Sequence, residues 1–229
     1  MKIVGLQKMT LLDFPGKIGC TVFLGGCDLR CPFCHNAELI DGTAGELCSR
    51  GELLDFLKKR VGMLEGVVIT GGEPLLNAEL GGLLGEIRAL GFPVKLDTNG
   101  THPKRLDEIL RSGLVQYVAM DVKNSPERYA RTAGVTAIDI GKIKQSVGLI
   151  MNGGVEYEFR TTVVREFHDE SSFYGIADLI DGAKKYFLQP FEDREQVAAG
   201  GLHSPTKEEL GRYAEIVRPH VGEVGIRGI

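Results

Sequence analysis

From about residue 17 onward, short apolar runs rich in β-formers alternate with segments of helical period. That alternation restricts the chain to repeated βα units around a parallel sheet. The runs are "GCTVFL" (19–24), "GVVIT" (66–70), "PVKLDT" (93–98), "VQYVAMDV" (115–122), "VEYEFRTTVV" (155–164) and "KKYFLQP" (184–190). Their near-continuous apolar character predicts strands covered on both faces, and "GEVGIRG" (222–228) offers a seventh.

The helices between them carry their own boundary signals. Ser49 with Glu52 forms a capping box ahead of Leu53, Phe56 and Leu57, and Thr206 with Glu209 does the same ahead of Leu210, Tyr213 and Val217. Asn77 reads as the cap of a helix carrying Leu80, Leu84 and Ile87 before Gly91, and Pro103 as the first position of the next. Ile140, Ile143, Val147 and Ile150 keep helical spacing, and "DESSFYGIADLI" gives a further helix. The chain has 229 residues, enough for one sizeable core, and no linker or low-complexity stretch interrupts it, so a single domain over 1–229 is expected.

Charge and composition narrow the function. Lys and Arg number 27 against 31 Asp and Glu, a net charge of −4, with no run of five like charges, so neither nucleic acid nor an anionic membrane is an expected partner. No apolar run approaches the ~18 residues of a membrane span, and Gln7, Lys8 and Asp13 interrupt the start of the chain before a signal-peptide core can form. Five cysteines, three of them packed into 27–34, suit a metal site in a reducing compartment, which places the protein in the cytoplasm.

The polar residues share one address. In parallel βα folds, chemistry gathers at the carboxyl ends of the strands. Here "GGCDLRCPFCHN" (25–36) follows the first run, "GGEP" (71–74) the second, "DTNG" (97–100) ends the third and "DVK" (121–123) the fourth, while Arg160 lies on the fifth and Gln189 closes the sixth. Cys27, Cys31 and Cys34 supply three thiolates at gaps that hold an iron-sulfur cluster with one iron left open. A four-cysteine zinc site completed by Cys20 or Cys48 is the competing assignment. Glu73 offers a carboxylate to an ammonium group, and Lys123 and Arg160 offer cations to a carboxylate. "GGEP" and "DTNG" are also ordinary turn sequences.

With Phe33 before the last cysteine, the cluster and "GGEP" resemble the radical S-adenosylmethionine enzymes. More narrowly, "TLLDFPGKIGCTVFLGGCDLRCPFCHN" with "TGGEP", "LDTNG" and "MDVK" is similar to the glycyl-radical-enzyme activating proteins, nearest to the branch that activates anaerobic ribonucleoside-triphosphate reductase. The resemblance implies an α/β fold, a partial (β/α)6 TIM-like barrel, with 1–16 as an N-terminal loop or extension near the active-site mouth. It implies a [4Fe-4S] cluster on Cys27, Cys31 and Cys34, with S-adenosylmethionine chelated to the open iron. Phe33 and His35 would then lie near the adenosine and Gly71, Gly72, Glu73 and Pro74 would meet the methionyl ammonium. Asp97, Asn99, Asp121, Lys123, Arg160 and Gln189 would complete the pocket, with a monovalent cation near Asp97 and Asp121. The product would be a glycyl radical on a partner enzyme that meets Asp13, with flavodoxin or ferredoxin as electron donor. Pyruvate formate-lyase activators carry a histidine after the sixth strand where this chain has Gln189, Pro190 and Phe191. Activation of such a lyase, or a small-molecule reaction like that of 7-carboxy-7-deazaguanine synthase, is the alternative.

Overall fold

All seven apolar runs lie on strands, and one further strand precedes them. The computed structural model describes every residue except 41–43, 194–196, 198 and 229. The strands are β1 (Ile3–Thr10), β2 (Gly19–Leu24), β3 (Gly66–Gly71), β4 (Val94–Thr98), β5 (Tyr117–Asp121), β6 (Glu156–Val163), β7 (Lys185–Pro190) and β8 (Glu223–Ile226). The helices are α1 (Arg50–Lys58), α2 (Leu80–Ala89), α3 (Pro103–Arg111), α4 (Tyr129–Thr132), α5 (Ile140–Asn152), α6 (Glu170–Leu179) and α7 (Lys207–Val217). The described residues form two compact units: Met1–Asp28 with Glu38–Thr98 and Lys104–Val118, and Leu29–Ala37 with Asn99–Pro103 and Ala119–Ile229.

In the first unit, β2, β3 and β4 pair in parallel, Gly19 opposite Gly66 and Val67 opposite Val94. Thr21, Val68 and Lys95 are in register across the three strands, so their side chains share one face. Phe14 and Tyr117 pack with Val68 into a small core, their rings 6.0 Å apart. Leu53 and Leu57 of α1 and Leu80, Leu83, Leu84 and Ile87 of α2 are buried. The Ser49–Glu52 capping box is present, and Arg50 reaches Glu86 at 2.6 Å to tie the two helices. Asn77 is not the cap of α2: its backbone N–H closes a 3₁₀ turn over Pro74–Leu76 by donating to the Pro74 carbonyl at 3.0 Å, and its own carbonyl accepts from Leu80.

The segment 1–16, expected as a loop or extension, holds β1, which pairs antiparallel with β2 from Ile3 opposite Leu24 to Thr10 opposite Gly19. A strand flanked by one partner needs only part of its surface covered, so Gln7 and Lys8 sit in it exposed and hid it from an apolar-run reading. The turn that follows, 11–18, lies at the amino end of β2, whereas the cysteine loop leaves its carboxyl end. It is Lys2, not that turn, that meets the root of the cysteine loop, its carbonyl accepting from Gly25 at 3.1 Å.

In the second unit, β6, β7 and β8 pair in parallel, Phe159 opposite Tyr186 and Lys185 opposite Glu223. Ile143, Val147 and Ile150 of α5 are buried, as are Phe173 and Ile176 of α6 and Leu210, Tyr213 and Val217 of α7. The Phe173 and Tyr213 rings stack at 4.3 Å. The boxes Asp169–Ser172 and Thr206–Glu209 start α6 and α7. Arg227 ties β8 down with two hydrogen bonds to the buried Glu158, at 2.8 and 2.7 Å, beneath which its guanidinium covers the Phe187 ring at 3.9 Å. Among the described residues no helix is long and apolar enough to cross a membrane.

Candidate functional site

In the first unit the parallel pairing brings the ends of β2, β3 and β4 to the same side, which places Cys27, "GGEP" and Asp97 after neighbouring strands. Gly72 donates to the Leu24 carbonyl at 2.9 Å and Glu73 to the Gly26 carbonyl at 2.8 Å, so the "GGEP" backbone continues as a ladder along the start of the cysteine loop. A β-carbon on Gly71 would collide with the Leu24 backbone, and one on Gly72 with the Gly26 carbonyl while crowding Cys27. The glycine pair therefore makes room for the cysteine loop itself. Glu73 is fully buried; its Oε1 accepts from the Leu75 N–H at 3.1 Å and from Thr98 Oγ1 at 2.9 Å. Pro74, at the first position of the 3₁₀ turn, fixes the backbone that presents that cap. Asp97 accepts from the buried Lys95 ammonium at 2.5 Å. Asp13 accepts from Thr21 Oγ1, also at 2.5 Å.

The second unit holds Cys31 and Cys34, joined by a turn in which the Cys34 N–H donates to the Cys31 carbonyl at 3.0 Å. Its backbone is anchored on both sides: Arg30 donates to the Ala133 carbonyl at 2.9 Å, and Ala199 donates to the Pro32 carbonyl at 3.0 Å. Phe33 is buried against Phe167, and His35 stacks on Phe191 at 5.8 Å while donating from Nε2 to the Glu192 carbonyl at 2.8 Å. Asp121 at the end of β5 accepts from Arg160 Nε at 2.8 Å and from Lys123 Nζ at 3.0 Å. Burial pushes the Asp121 carboxyl up, but the Arg160 and Lys123 charges outweigh it and hold the group well below the usual carboxylate range. Burial likewise opposes charge on Lys123, and Asp121 and Cys31 together leave it well above the usual lysine range. The Cys31 thiol is pushed up by burial and pulled back by the Lys123 ammonium. Asn99 is engaged in its own turn, Oδ1 accepting from the Thr101 N–H at 3.0 Å and its hydroxyl at 2.7 Å. Gln189 sits half-buried on β7 opposite Thr162.

Several residues that the sequence reading passed over hold these groups in place. Lys95 is a charge in the middle of a strand read as apolar, a signal visible in "PVKLDT". His168 is buried; burial lowers its pKa, and the neutral ring accepts from the Val164 N–H at 3.1 Å and donates from Nε2 to the Lys123 carbonyl at 2.9 Å. Asn124, fully buried, spans Thr132 Oγ1 and the Phe167 carbonyl, both at 2.8 Å. Gly134 leaves room for the Arg30 carbonyl, into which a β-carbon would run.

The donor set fits an iron-sulfur cluster. Cys27 and Cys34 are half-buried, and Cys31 has an ammonium that favours its thiolate. Cys20 lies buried inside β2, where its thiol is pushed up to about 12, and Cys48, half-buried, makes a strand-like bridge to Ile3. Among the described residues no three His, Cys, Asp or Glu side chains are gathered closely enough for a single ion. A cubane takes its thiolates on separate irons and does not ask for that closeness.

Comparison with known proteins places the chain in a family. A candidate glycyl-radical enzyme activating enzyme of Methanocaldococcus jannaschii is 31% identical over 240 residues, covering 99% of this chain and 96% of that relative. A 7-carboxy-7-deazaguanine synthase of Hyperthermus butylicus is 41% identical over 91 residues, 39% of this chain and 38% of the synthase. The crystal structure of Streptococcus suis SuiB bound to its precursor peptide SuiA superposes with a TM-score of 0.71 at 15% identity, over 91% of this chain and 48% of SuiB. That likeness extends the α/β fold and its mostly parallel sheet to a solved protein. With the Radical SAM superfamily model matching residues 21–180 and a relative aligned nearly end to end, the chain belongs to the radical SAM superfamily, whose chemistry runs on a [4Fe-4S] cluster and S-adenosylmethionine.

Proposed function

We propose that this chain activates a glycyl radical enzyme by abstracting hydrogen from a backbone glycine of that partner, an anaerobic ribonucleotide reductase. The observation that carries the reading is the M. jannaschii relative matched over 99% of the chain. When bound, the reduced cluster and S-adenosylmethionine supply a 5′-deoxyadenosyl radical, and the protein's part is to position and exclude.

In this reading Cys27, Cys31 and Cys34 hold the cluster, and Lys123 offsets part of the burial that opposes the Cys31 thiolate. Gly71 and Gly72 set the "GGEP" backbone against the cysteine loop, and Pro74 and Glu73 hold its turn, with the Glu73 charge toward the methionyl ammonium. Lys123 and Arg160, both held by Asp121, offer cationic donors to the methionyl carboxylate. Phe33 and the His35–Phe191 stack offer apolar faces to the adenosine, with Gln189 on the adjoining strand and Asn99 shaping its turn. Asp13 is hydrogen-bonded to Thr21 in the turn at the amino end of β2, so the entering loop, read at the carboxyl end, is met without it. Flavodoxin or ferredoxin supplies the electron, and no acid-base pair is required.

Anaerobic reconstitution is expected to give about four irons per chain. Reduced protein mixed with the glycyl radical enzymes of the same genome is expected to give an electron paramagnetic resonance doublet, with the anaerobic ribonucleotide reductase first. A doublet from none of them would overturn the reading. The local identity to a 7-carboxy-7-deazaguanine synthase favours a second one, which the appearance of 7-carboxy-7-deazaguanine in place of a protein radical would establish.

A further inference from the structure

The residues present do not fit a monovalent metal ion at Asp97 and Asp121, because each carboxylate already carries a side-chain cation within its own unit. Asp121 accepts from both Arg160 and Lys123. Asp97 accepts from Lys95, two residues earlier on β4 and therefore on the same face of the strand. Lys95 is only 1% exposed. Its ammonium also lies 6.0 Å from the centre of the Tyr117 ring, within the range of a cation-π contact. A buried ammonium is retained only where it is paired, and here the pair is with the carboxylate expected to hold the ion. A second cation at Asp97 would stand beside a fixed positive charge in a low-dielectric interior, where repulsion is poorly screened.

We infer that Lys95 is a positioning residue that supplies, from within the chain, the positive charge an alkali cation would otherwise bring to Asp97, so that the protein works without one. The inference rests on the reading of Asp97 as part of the S-adenosylmethionine pocket. Val68, opposite Lys95 on β3 and packed with Phe14 and Tyr117, leaves the lysine stem an apolar bed, so the ammonium is held toward Asp97 and not toward bulk water.

The test compares reconstituted wild type and Lys95→Met in buffers of equal ionic strength whose only cation is potassium, sodium or tetramethylammonium, with a photoreduced deazaflavin as reductant. Two quantities are read: the rate of 5′-deoxyadenosine formation, and the melting temperature measured without reductant or S-adenosylmethionine. Wild type is expected to keep both unchanged, the rate within about twofold, since matched ionic strength equalises general screening. Lys95→Met is expected to lose at least about tenfold in rate in tetramethylammonium. Potassium or sodium should restore its rate and raise its melting temperature, a rescue that a merely structural lysine would not show. A wild-type melting temperature or rate that rises with potassium or sodium overturns the inference, and this arm stands even if Lys95→Met fails to fold. Absence of 5′-deoxyadenosine in every buffer would overturn the S-adenosylmethionine reading instead, and the melting curves would still decide whether Asp97 takes an alkali ion.

Discussion

Gly72 in the first unit and Gly134 in the second each press a backbone without a side chain against one stretch of the cysteine loop, the Gly26 carbonyl in one case and the Arg30 carbonyl in the other. The charges beside them are arranged differently. In the first unit the buried Lys95 ammonium meets Asp97. In the second, two cations meet Asp121, and the Lys123 ammonium lies near the Cys31 thiol. The loop is thus supported by shape in both units, and in the second the Lys123 charge offsets part of the burial that opposes the Cys31 thiolate.

The largest expected effect comes from refilling the two clefts. Gly72→Ala and Gly134→Ala should each displace the loop backbone, and Gly134, whose φ is +67°, is the less tolerant of a side chain. Iron content should fall from about four per chain to well under one. Full iron in Gly134→Ala alone would show that only the first unit props the loop.

The charge clusters should differ next. Asp121→Asn leaves Lys123 and Arg160 without their carboxylate and is expected to cost about 3 kcal/mol in denaturant unfolding, and Lys95→Met about 2 kcal/mol. Removing both members of the first pair, in Lys95→Met/Asp97→Leu, should return stability to within about 1 kcal/mol of wild type. Asp121→Asn/Lys123→Met should recover less, because Arg160 remains. Equal recovery in both units would erase the distinction between the Lys95–Asp97 pair and the Asp121 cluster with its two cations.

Acid sharpens the same contrast. Because the Asp121 carboxyl is held low in the folded protein, its stabilisation is fully present above the unfolded value of about 3.9 and is lost as pH falls through the folded value. The stability gap between wild type and Asp121→Asn should therefore be flat from about pH 5 to 8 and close only below about pH 4. A gap that closes near neutrality would mean that another group controls the cluster. The smallest effects belong to the cysteines outside the loop. Cys48→Ala should change stability by less than about 0.5 kcal/mol, Cys20→Ala should cost about 1 kcal/mol as lost packing, and both should keep their iron. Iron lost from either would revive a four-cysteine site.

What the sequence disclosed and what it withheld follow from range. Capping boxes at Ser49 and Thr206, and strands such as 66–70, are set by residues a few positions apart, and they are found where the spacing puts them. The common address of Cys27, "GGEP" and Asp97 in the first unit follows from parallel pairing, which alternating runs already imply. Gly134, His168 and Asn124 act on partners far along the chain, such as Arg30, Lys123 and Phe167, and no local pattern marks them. Asn77 had the right chemistry for a cap and the wrong place, because Pro74 claimed the preceding turn. The role of the glycines in "GGEP" was legible as a need for space, but what fills that space is the loop from 24 to 27.

The irregular first strand bears on how the protein behaves in a crowd. β1 shifts register twice against β2, its outer side meets Leu47 and Cys48 at Ile3, and Gln7, Lys8 and Met9 farther along are exposed. A kinked edge carrying a lysine is a poor template for a neighbouring molecule's strand. Self-association through sheet extension is therefore disfavoured on that side, and concentrated preparations stripped of iron should stay dispersed for as long as β1 keeps its place.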